Sequence, residues 1–349
     1  MIIPNESQQN FNIFIAIIIV IFLSLLEYRL VILLHADDLK NLFHAAYGVT
    51  IGEPHWRVYQ NRLLGPFSVK GLSEILGMTY AQVYMFFTMG LLVIQNVLFF
   101  ALFRQLTDDN RLSVRYTLYF VAFFIALSDS NWLYLWDFLD IIVFTLFIYG
   151  ILAYKNNWYF LFVFGIAILN KESGLFIALW LILDALIEKR DTNSFYFAMK
   201  LRDLKRLFLG IALLVGGIFF VEWIRDALFI KSAAGGGVKF TGIEYGKYVH
   251  FKFLINLKVF VYNLTNLNFL LNFLVNIFIL ALPLFVIIQS KKAEETIFKI
   301  IILFLAIYST IMLFGVLNET RVYNILIPFI IFLSAYFSGH IVPRKMVSS

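Results

Sequence analysis

Long apolar segments dominate this sequence, and the few polar clusters between them constrain it more than any other feature. In chain order the clusters are His35-Ala36-Asp37-Asp38, Gln60-Asn61-Arg62, the stretch from Asp129 to Asp140, Asn170-Lys171-Glu172-Ser173, and Asn318-Glu319-Thr320-Arg321. If the apolar segments are membrane helices, all five clusters fall on one side of the bilayer. Polar residues tolerated at random would divide between both sides. A membrane enzyme that builds one site at a water interface keeps them together.

Of 349 residues, 61% are hydrophobic and 14% charged. Soluble domains are about half apolar and about a quarter charged, so most of this chain belongs in lipid. Forty Phe residues suit lipid-facing helices. There is no cysteine, which excludes disulfides, thiolate ligands and a cysteine nucleophile. The formal charge of +6 reads as a positive-inside bias and contact with anionic lipid, not as nucleic-acid binding. Residues 1–10 carry no Lys or Arg, and the first apolar run lacks a small-residue cleavage site. It therefore reads as a retained helix rather than a cleaved signal.

A helix needs about 20 apolar residues to cross the hydrocarbon. Ten segments are candidates: roughly 11–34, 81–104, 114–129, 133–154, 157–170, 174–188, 207–230, 267–290, 298–317 and 322–341. The expected fold is all-α: a polytopic membrane helix bundle of about ten transmembrane helices, forming a single integral-membrane domain over residues 1–349. The third, fifth and sixth segments are short, and a non-helical break at membrane depth is tolerated only where protein buries it or it lines a cavity.

Lys and Arg orient the bundle. One set of short loops carries Arg104, Arg111 and Arg115, then Lys155, then Lys189 to Arg206, then Lys291, Lys292 and Lys299, then Arg344 and Lys345. That set is placed in the cytoplasm, with both termini. Two long loops, 35–80 and 231–266, then face outward. In the first, Leu39, Leu42, Phe43, Ala46 and Tyr47 have the spacing of an amphipathic helix. Asp37 or Asp38 would cap it and Gly48 would end it. A second interfacial helix is expected from Ser68 to Leu76. The late loop contains Gly235-Gly236-Gly237 and only one acid, Glu244.

Several residues can carry chemistry, each with a plain structural alternative. The Asp37-Asp38 pair follows the first membrane helix directly. A carboxylate partly desolvated at the lipid boundary is a better base; the alternative is a helix cap. Arg62 can grip phosphate or carboxylate bidentately, or meet a lipid headgroup. Gln60 stands beside it as a further polar contact. Asp137 and Asp140, three apart, share a helix face. They can bind a metal or sugar hydroxyls, or be a solvated helix start. Lys171 and Glu172 sit between two short helices, where ionisable residues are functional candidates by default. Glu319 and Arg321 invite the same reading. Glu222, Arg225 and Asp226 look like an ion pair internal to their own helix.

Two metal options stay open. Asp37, Asp38 and Asp137 are candidates for a carboxylate site holding Mg²⁺ or Mn²⁺. His35, His44 and His55 share the first loop with the acidic pair, but no zinc spacing is present. Asn5, Asn263 and Asn318 open Asn-x-Ser/Thr sequons that matter only in a eukaryotic secretory host. There is no P-loop, no dinucleotide fingerprint and no soluble domain to hold a nucleotide-sugar. An enzyme of this shape takes its activated substrate from the membrane.

The order of these features resembles the GT-C superfamily of integral-membrane glycosyltransferases. One membrane helix is followed by an outer loop that opens on an acidic pair (Asp37, Asp38) and holds two interfacial helices. An Arg precedes a Pro (Arg62, Pro66) ahead of the next membrane helix. Asn170-Lys171-Glu172-Ser173-Gly174-Leu175 is similar to that superfamily's Lys-Glu-x-Gly-Leu stretch, and Asn318-Glu319-Thr320-Arg321-Val322-Tyr323 to its Glu-x-Arg-Tyr element. The resemblance covers roughly residues 10–190 and 315–335. It implies a polyprenyl-phosphate sugar donor, a glycan, lipid or protein acceptor, and inverting transfer outside the cytoplasm in cell-envelope glycan or glycolipid assembly. Asp37 or Asp38 would be the base. Arg62, Lys171 and Arg321 would stabilise the developing phosphate charge, and Glu172 would hold Lys171 or contact the sugar. The chain departs from many members in being short and lacking a C-terminal soluble domain.

Two other functions fit the composition. A polysaccharide polymerase or ligase usually keeps its catalytic groups in a large late outer loop, and here 231–266 is basic and acid-poor. A transporter or flippase of lipid-linked glycans carries charges or helix breaks near mid-membrane, often in two matching halves. Most ionisable residues here lie at helix ends. Richness in Ile, Phe and Asn suggests an AT-rich microbial genome, hence a bacterial plasma membrane.

Overall fold

In the computed structural model, residues 11–54, 59, 61–128, 133–189, 197–228, 251–265, 270–291, 293–317 and 319–341 are described. They form thirteen α-helices: α1 (Ile13–Leu34), α2 (Leu39–Thr50), α3 (Leu64–Leu76), α4 (Tyr80–Thr107), α5 (Asn110–Leu127), α6 (Leu135–Leu152), α7 (Asn157–Asn170), α8 (Leu175–Leu186), α9 (Leu204–Ala227), α10 (Phe253–Thr265), α11 (Leu270–Ser290), α12 (Glu295–Phe314) and α13 (Ile327–Phe337). Two 3₁₀ turns, Glu172–Gly174 and Thr320–Leu326, interrupt the pattern. A short antiparallel hairpin, Ile187–Lys189 with Phe197–Met199, is a small departure from the all-α expectation.

The described parts of the expected membrane segments are mostly helical. Among the described residues six helices are long and apolar enough to cross a bilayer: Ile13–Leu34, Tyr80–Thr107, Leu135–Leu152, Leu204–Arg225, Glu295–Phe314 and Thr320–Phe337. α7 has 14 residues and α8 has 12, about 21 and 18 Å of helix at 1.5 Å per residue. Residues 253–265, assigned to the late outer loop from sequence, are helical. Asn256 holds that helix in place. Its amide donates to the carbonyls of Met312 and Gly315 and accepts from the Leu317 N–H, which ties α10 to the end of α12.

Capping residues start several helices at the positions their chemistry favours. The Asn12, Asp109, Asn156 and Asp203 side chains each accept a first-turn backbone N–H, and Thr79 with Gln82 forms a capping box. The two interfacial helices exist, with altered ends. Asp38 occupies the cap position of α2, but its side chain makes no capping bond. Gly48 lies inside α2 rather than at its end. A Cβ there would stand 2.6 Å from the Glu53 carbonyl, so the returning chain needs this glycine. α3 begins four residues earlier than expected, at Leu64. The Asn263 sequon is buried in α10, which does not suit a glycan; Asn5 and Asn318 lie outside the described residues.

α6 is the central element: 89% of its span is buried, against 22% for α1. Helices α4, α7 and α13 and the Thr320–Leu326 turn pack around it. Aromatic side chains fill the core, with Phe99, Phe103, Phe120 and Phe332 in one stack. α8 and α9 make the most extensive helix contact among the described residues, and small residues explain its closeness. A Cβ at Gly210 would meet Ile182 Cγ1 at 2.8 Å and the Ala178 carbonyl oxygen at 3.0 Å; one at Gly217 would meet Leu175 at 2.7 Å. Gly210→Val should therefore push α9 off α8 and cost about 1–3 kcal/mol as overpacking. Gly165→Ala, with nothing near its Cβ, should not destabilise. Thermal unfolding of both variants in one detergent checks this, and equal melting temperatures would refute the close packing.

Candidate functional site

The site begins with two carboxylates that the first two turns of α6 bury. Asp137 and Asp140 are 2% and 1% exposed. They share a helix face as expected, but they are interior groups, not a solvated helix start. An isolated buried charge costs many kcal/mol, so its partners must be brought to it. Two parts of the chain supply them, and a third closes the site.

The first is the break between α7 and α8. Lys171 leaves the helix in an extended conformation (φ −164°, ψ 150°), and its Nζ reaches Asp137 at 3.4 Å and Asp140 at 3.1 Å. Ser173 Oγ donates to Asp140 at 2.7 Å, and the Asn170 amide donates to the Trp136 carbonyl at 2.9 Å. The second is the 3₁₀ turn before α13. Arg321 Nη1 donates to Asp137 Oδ2 at 2.9 Å, its guanidinium lies over the Tyr134 ring, and Nη2 stands 3.7 Å from Glu319. Thr320 Oγ1 anchors this turn by donating to the Leu127 carbonyl at 2.6 Å.

The third part is the segment entering α3. The Leu63 N–H donates to the Leu169 carbonyl at 3.0 Å, which lays this segment on the end of α7. Arg62 then grips Glu172 bidentately, Nη1 to Oε2 at 2.6 Å and Nη2 to Oε1 at 3.1 Å, and the Asn61 amide donates to Oε2 at 2.9 Å. Tyr59 closes the wall. Its hydroxyl donates to Tyr134 OH at 3.0 Å and its ring packs on Trp136. Burial raises the pKa of the Tyr59 phenol, keeping it a neutral donor.

Seven residues singled out from sequence thus meet in one network: Arg62, Asp137, Asp140, Lys171, Glu172, Glu319 and Arg321. Gln60 lies outside the described residues. Asp37 is exposed and Asp38 half-exposed, and no hydrogen bond or ion pair joins either side chain to the described part of the network. Among the described residues no group of three His, Asp or Glu side chains could hold a metal ion. Asp137 does not fit the metal role, because both its oxygens already serve Arg321, Lys171 and the Tyr134 N–H. His35 is buried, and His55 lies outside the described residues. Arg225 pairs with Glu222 at 2.6 Å, as its spacing indicated; the Asp226 side chain is outside the description.

Sequence reasoning missed Asn61, Ser173 and Tyr134 as members of the network. It also missed a second polar cluster inside the bundle. Glu27 of α1 is 1% exposed, accepts from the Asn96 amide of α4 at 2.5 Å, and sits near Ser24. No family, curated protein or solved structure matches this chain significantly.

Electrostatics gives the Arg62–Glu172 pair a pH signature. Burial alone would raise the Glu172 carboxyl, but Arg62, the Asn61 amide, Arg225 and Lys171 outweigh it and lower its pKa from 4.5 to about 2. A depressed carboxylate contributes stability that is fully present above pH 4.5 and is lost as pH falls toward 2. The Glu172 side chain is 40% exposed, so solvent screening holds the coupling to about 1 kcal/mol. A double-mutant cycle with Arg62→Gln and Glu172→Gln should show that coupling at neutral pH and a smaller one at the acid end of this window. A coupling flat across the window would rule out the pair as its source.

Proposed function

We propose that this chain is a GT-C-like glycosyltransferase. It moves a sugar from a polyprenyl-phosphate carrier to an acceptor hydroxyl, with inversion, on the non-cytoplasmic face. The observation that carries the reading is the convergence of Arg62, Lys171 and Arg321, from three distant segments, at one end of a bundle with membrane-length helices. A lipid-anchored phosphate arrives at that depth and needs such cations.

In the proposed step the acceptor oxygen attacks the anomeric carbon. The bond from that carbon to the phosphate oxygen breaks, and the lipid phosphate leaves with the electron pair. Asp37 or Asp38, accessible to a water-borne acceptor, takes the acceptor proton. The cations stabilise the charge that grows on the leaving phosphate. Asp137 and Asp140 position Lys171 and Arg321 instead of binding sugar hydroxyls. If Mg²⁺ or Mn²⁺ takes part, the Asp37-Asp38 pair is where it would sit, and turnover with and without chelator reports it.

A second reading, transport of a lipid-linked glycan, draws on the buried Glu27–Asn96 pair, because carboxylates inside membrane helices often mark ion pathways.

Sugar transfer by the purified protein in nanodiscs separates the two. A panel of polyprenyl-phosphate sugars is offered to wild type, Asp37→Asn and Asp38→Asn. Wild type is expected to transfer or hydrolyse one donor, with one Asn variant slower by about 10²–10⁴-fold. Equal rates in all three would eliminate the acidic pair as the base. No turnover with any donor, together with Glu27-dependent lipid translocation in vesicles, would replace the transferase reading with the transport one.

A further inference from the structure

The last turn of α9 carries a cation that looks, from sequence, like half of a private ion pair. The close α8–α9 packing allowed by Gly210 and Gly217 brings the upper part of α9 against the Glu172–Gly174 turn. Arg225 there has 15% of its side chain exposed. Its Nη1 pairs with Glu222, while its Nε is buried with no hydrogen-bond acceptor. Arg62 Nε and Arg321 Nε are in the same condition. Burying a guanidinium N–H without an acceptor is costly. Arg206 Nε at the other end shares this condition, but at this end three such guanidiniums come from separate segments, and an oxyanion would supply the missing acceptors.

The carboxylates of this end divide by exposure. Asp137 and Asp140 side chains are 1% exposed and fixed. Those of Glu172, Glu222 and Glu319 are 40%, 51% and 47% exposed, so they can turn out into water. Among the described side chains the fixed groups are then four cations, Arg62, Lys171, Arg225 and Arg321, against two carboxylates. The excess is two positive charges.

We infer that Arg225 is a further guanidinium of an anion site shared with Arg62 and Lys171 and backed by Arg321. This site takes a phosphate group carrying two negative charges, and Glu172 and Glu222 give way to it. The inference rests on the transferase reading only for where the phosphate comes from. It can be the lipid monophosphate released on transfer, or the diphosphate of a diphosphate-linked donor.

Binding to the full-length protein in nanodiscs, read by native mass spectrometry, tests it with three probes: undecaprenyl phosphate, undecaprenyl diphosphate, and the singly charged methyl ester of undecaprenyl phosphate. Wild type should hold the doubly charged head at least about tenfold more tightly than the ester. Arg225→Gln should lose about tenfold, the scale of one charged hydrogen bond, and Arg225→Lys should recover part of it. Glu222→Gln should bind more tightly than wild type, because a competing carboxylate is gone; a merely structural ion pair would not give that gain. Saturable binding of the monophosphate assigns the site to the released lipid, and binding of the diphosphate alone assigns it to the donor. Arg225→Gln binding as wild type at an unchanged melting temperature would overturn the inference, as would a wild type that binds none of the lipids or prefers the ester. Arg225-dependent binding without sugar transfer from any donor would leave the inference standing and remove the transferase reading.

Discussion

The pairing of Asp137 and Asp140 with Lys171 is the interaction on which the rest of this end of the molecule depends. Two carboxylates in the first two turns of the most buried helix cannot stay charged without compensation. A cation delivered by a continuous helix would project at one fixed angle. The chain breaks between α7 and α8 instead, and the extended backbone at Lys171 lets the ammonium reach both acids. The seven-residue 3₁₀ run of Thr320–Leu326 does the same for Arg321. Such runs are uncommon at this length and mark strain or function. Both irregular segments are packed against protein, the condition under which non-helical backbone is tolerated at membrane depth.

That requirement also makes the site a rigid one. Asp137 is held by Lys171, Arg321 and the Tyr134 N–H, and Asp140 by Ser173 and its ion pair with Lys171, so the positions of Lys171 and Arg321 are determined before any substrate arrives. Preorganised charge of this kind stabilises a developing negative charge without reorganisation. Glu172, Glu222 and Glu319, by contrast, are partly exposed and pair with Arg62, Arg225 and Arg321. The arrangement separates positioning acids at the floor from exchangeable acids at the rim. Among the described residues the opposite end of the bundle lacks this division. There Asp184 pairs with Arg206 at 2.9 Å and Lys299 at 3.0 Å, and Glu295 pairs with Lys299 at 2.8 Å and with Arg202, an arrangement suited to bracing the short hairpin and the starts of α9 and α12.

Much of the architecture was legible because the hydrocarbon imposes it. Segments of about 20 apolar residues can only be helices there, and the polar clusters had to lie at their ends. The common side of Arg62, Asp137, Lys171 and Arg321 followed from that alternation, and the network confirms their proximity without assigning their task. What could not be read was the pairing. Nothing in the spacing says that Lys171 serves Asp140 and Arg62 serves Glu172, since those partners are set by how far each break swings the chain. Gly48 looked like a helix end because glycine stops helices. Its actual reason, the approach of the Glu53 carbonyl, is a tertiary contact no local pattern records. Arg225 pairs with Glu222 as its spacing indicated, but its tertiary neighbour was not readable. Its i−3 partner was visible in the sequence, whereas the turn beside it belongs to another part of the chain.

Glu27 shows how a lone polar residue in an apolar helix escapes such a reading, and its setting bears on the choice between catalysis and transport. Most of α1 faces lipid. Its buried residues, Ala16, Val20, Ser24, Glu27 and Val31, recur every three or four positions and form one narrow seam. On that seam Ser24 and Glu27 meet the same Asn96 amide of α4, at 3.2 and 2.5 Å. Interhelical hydrogen bonds of this type join membrane helices and set their register. An ion pathway would need a chain of polar groups leading from Glu27 to either surface; within α1 the rest of the seam is Ala and Val, with buried His35 just beyond it and buried Gln95 and Thr88 on α4. The pair therefore accounts for how a mostly lipid-exposed first helix stays docked on α4. That docking also sets where α1 hands the chain to Asp37 and Asp38.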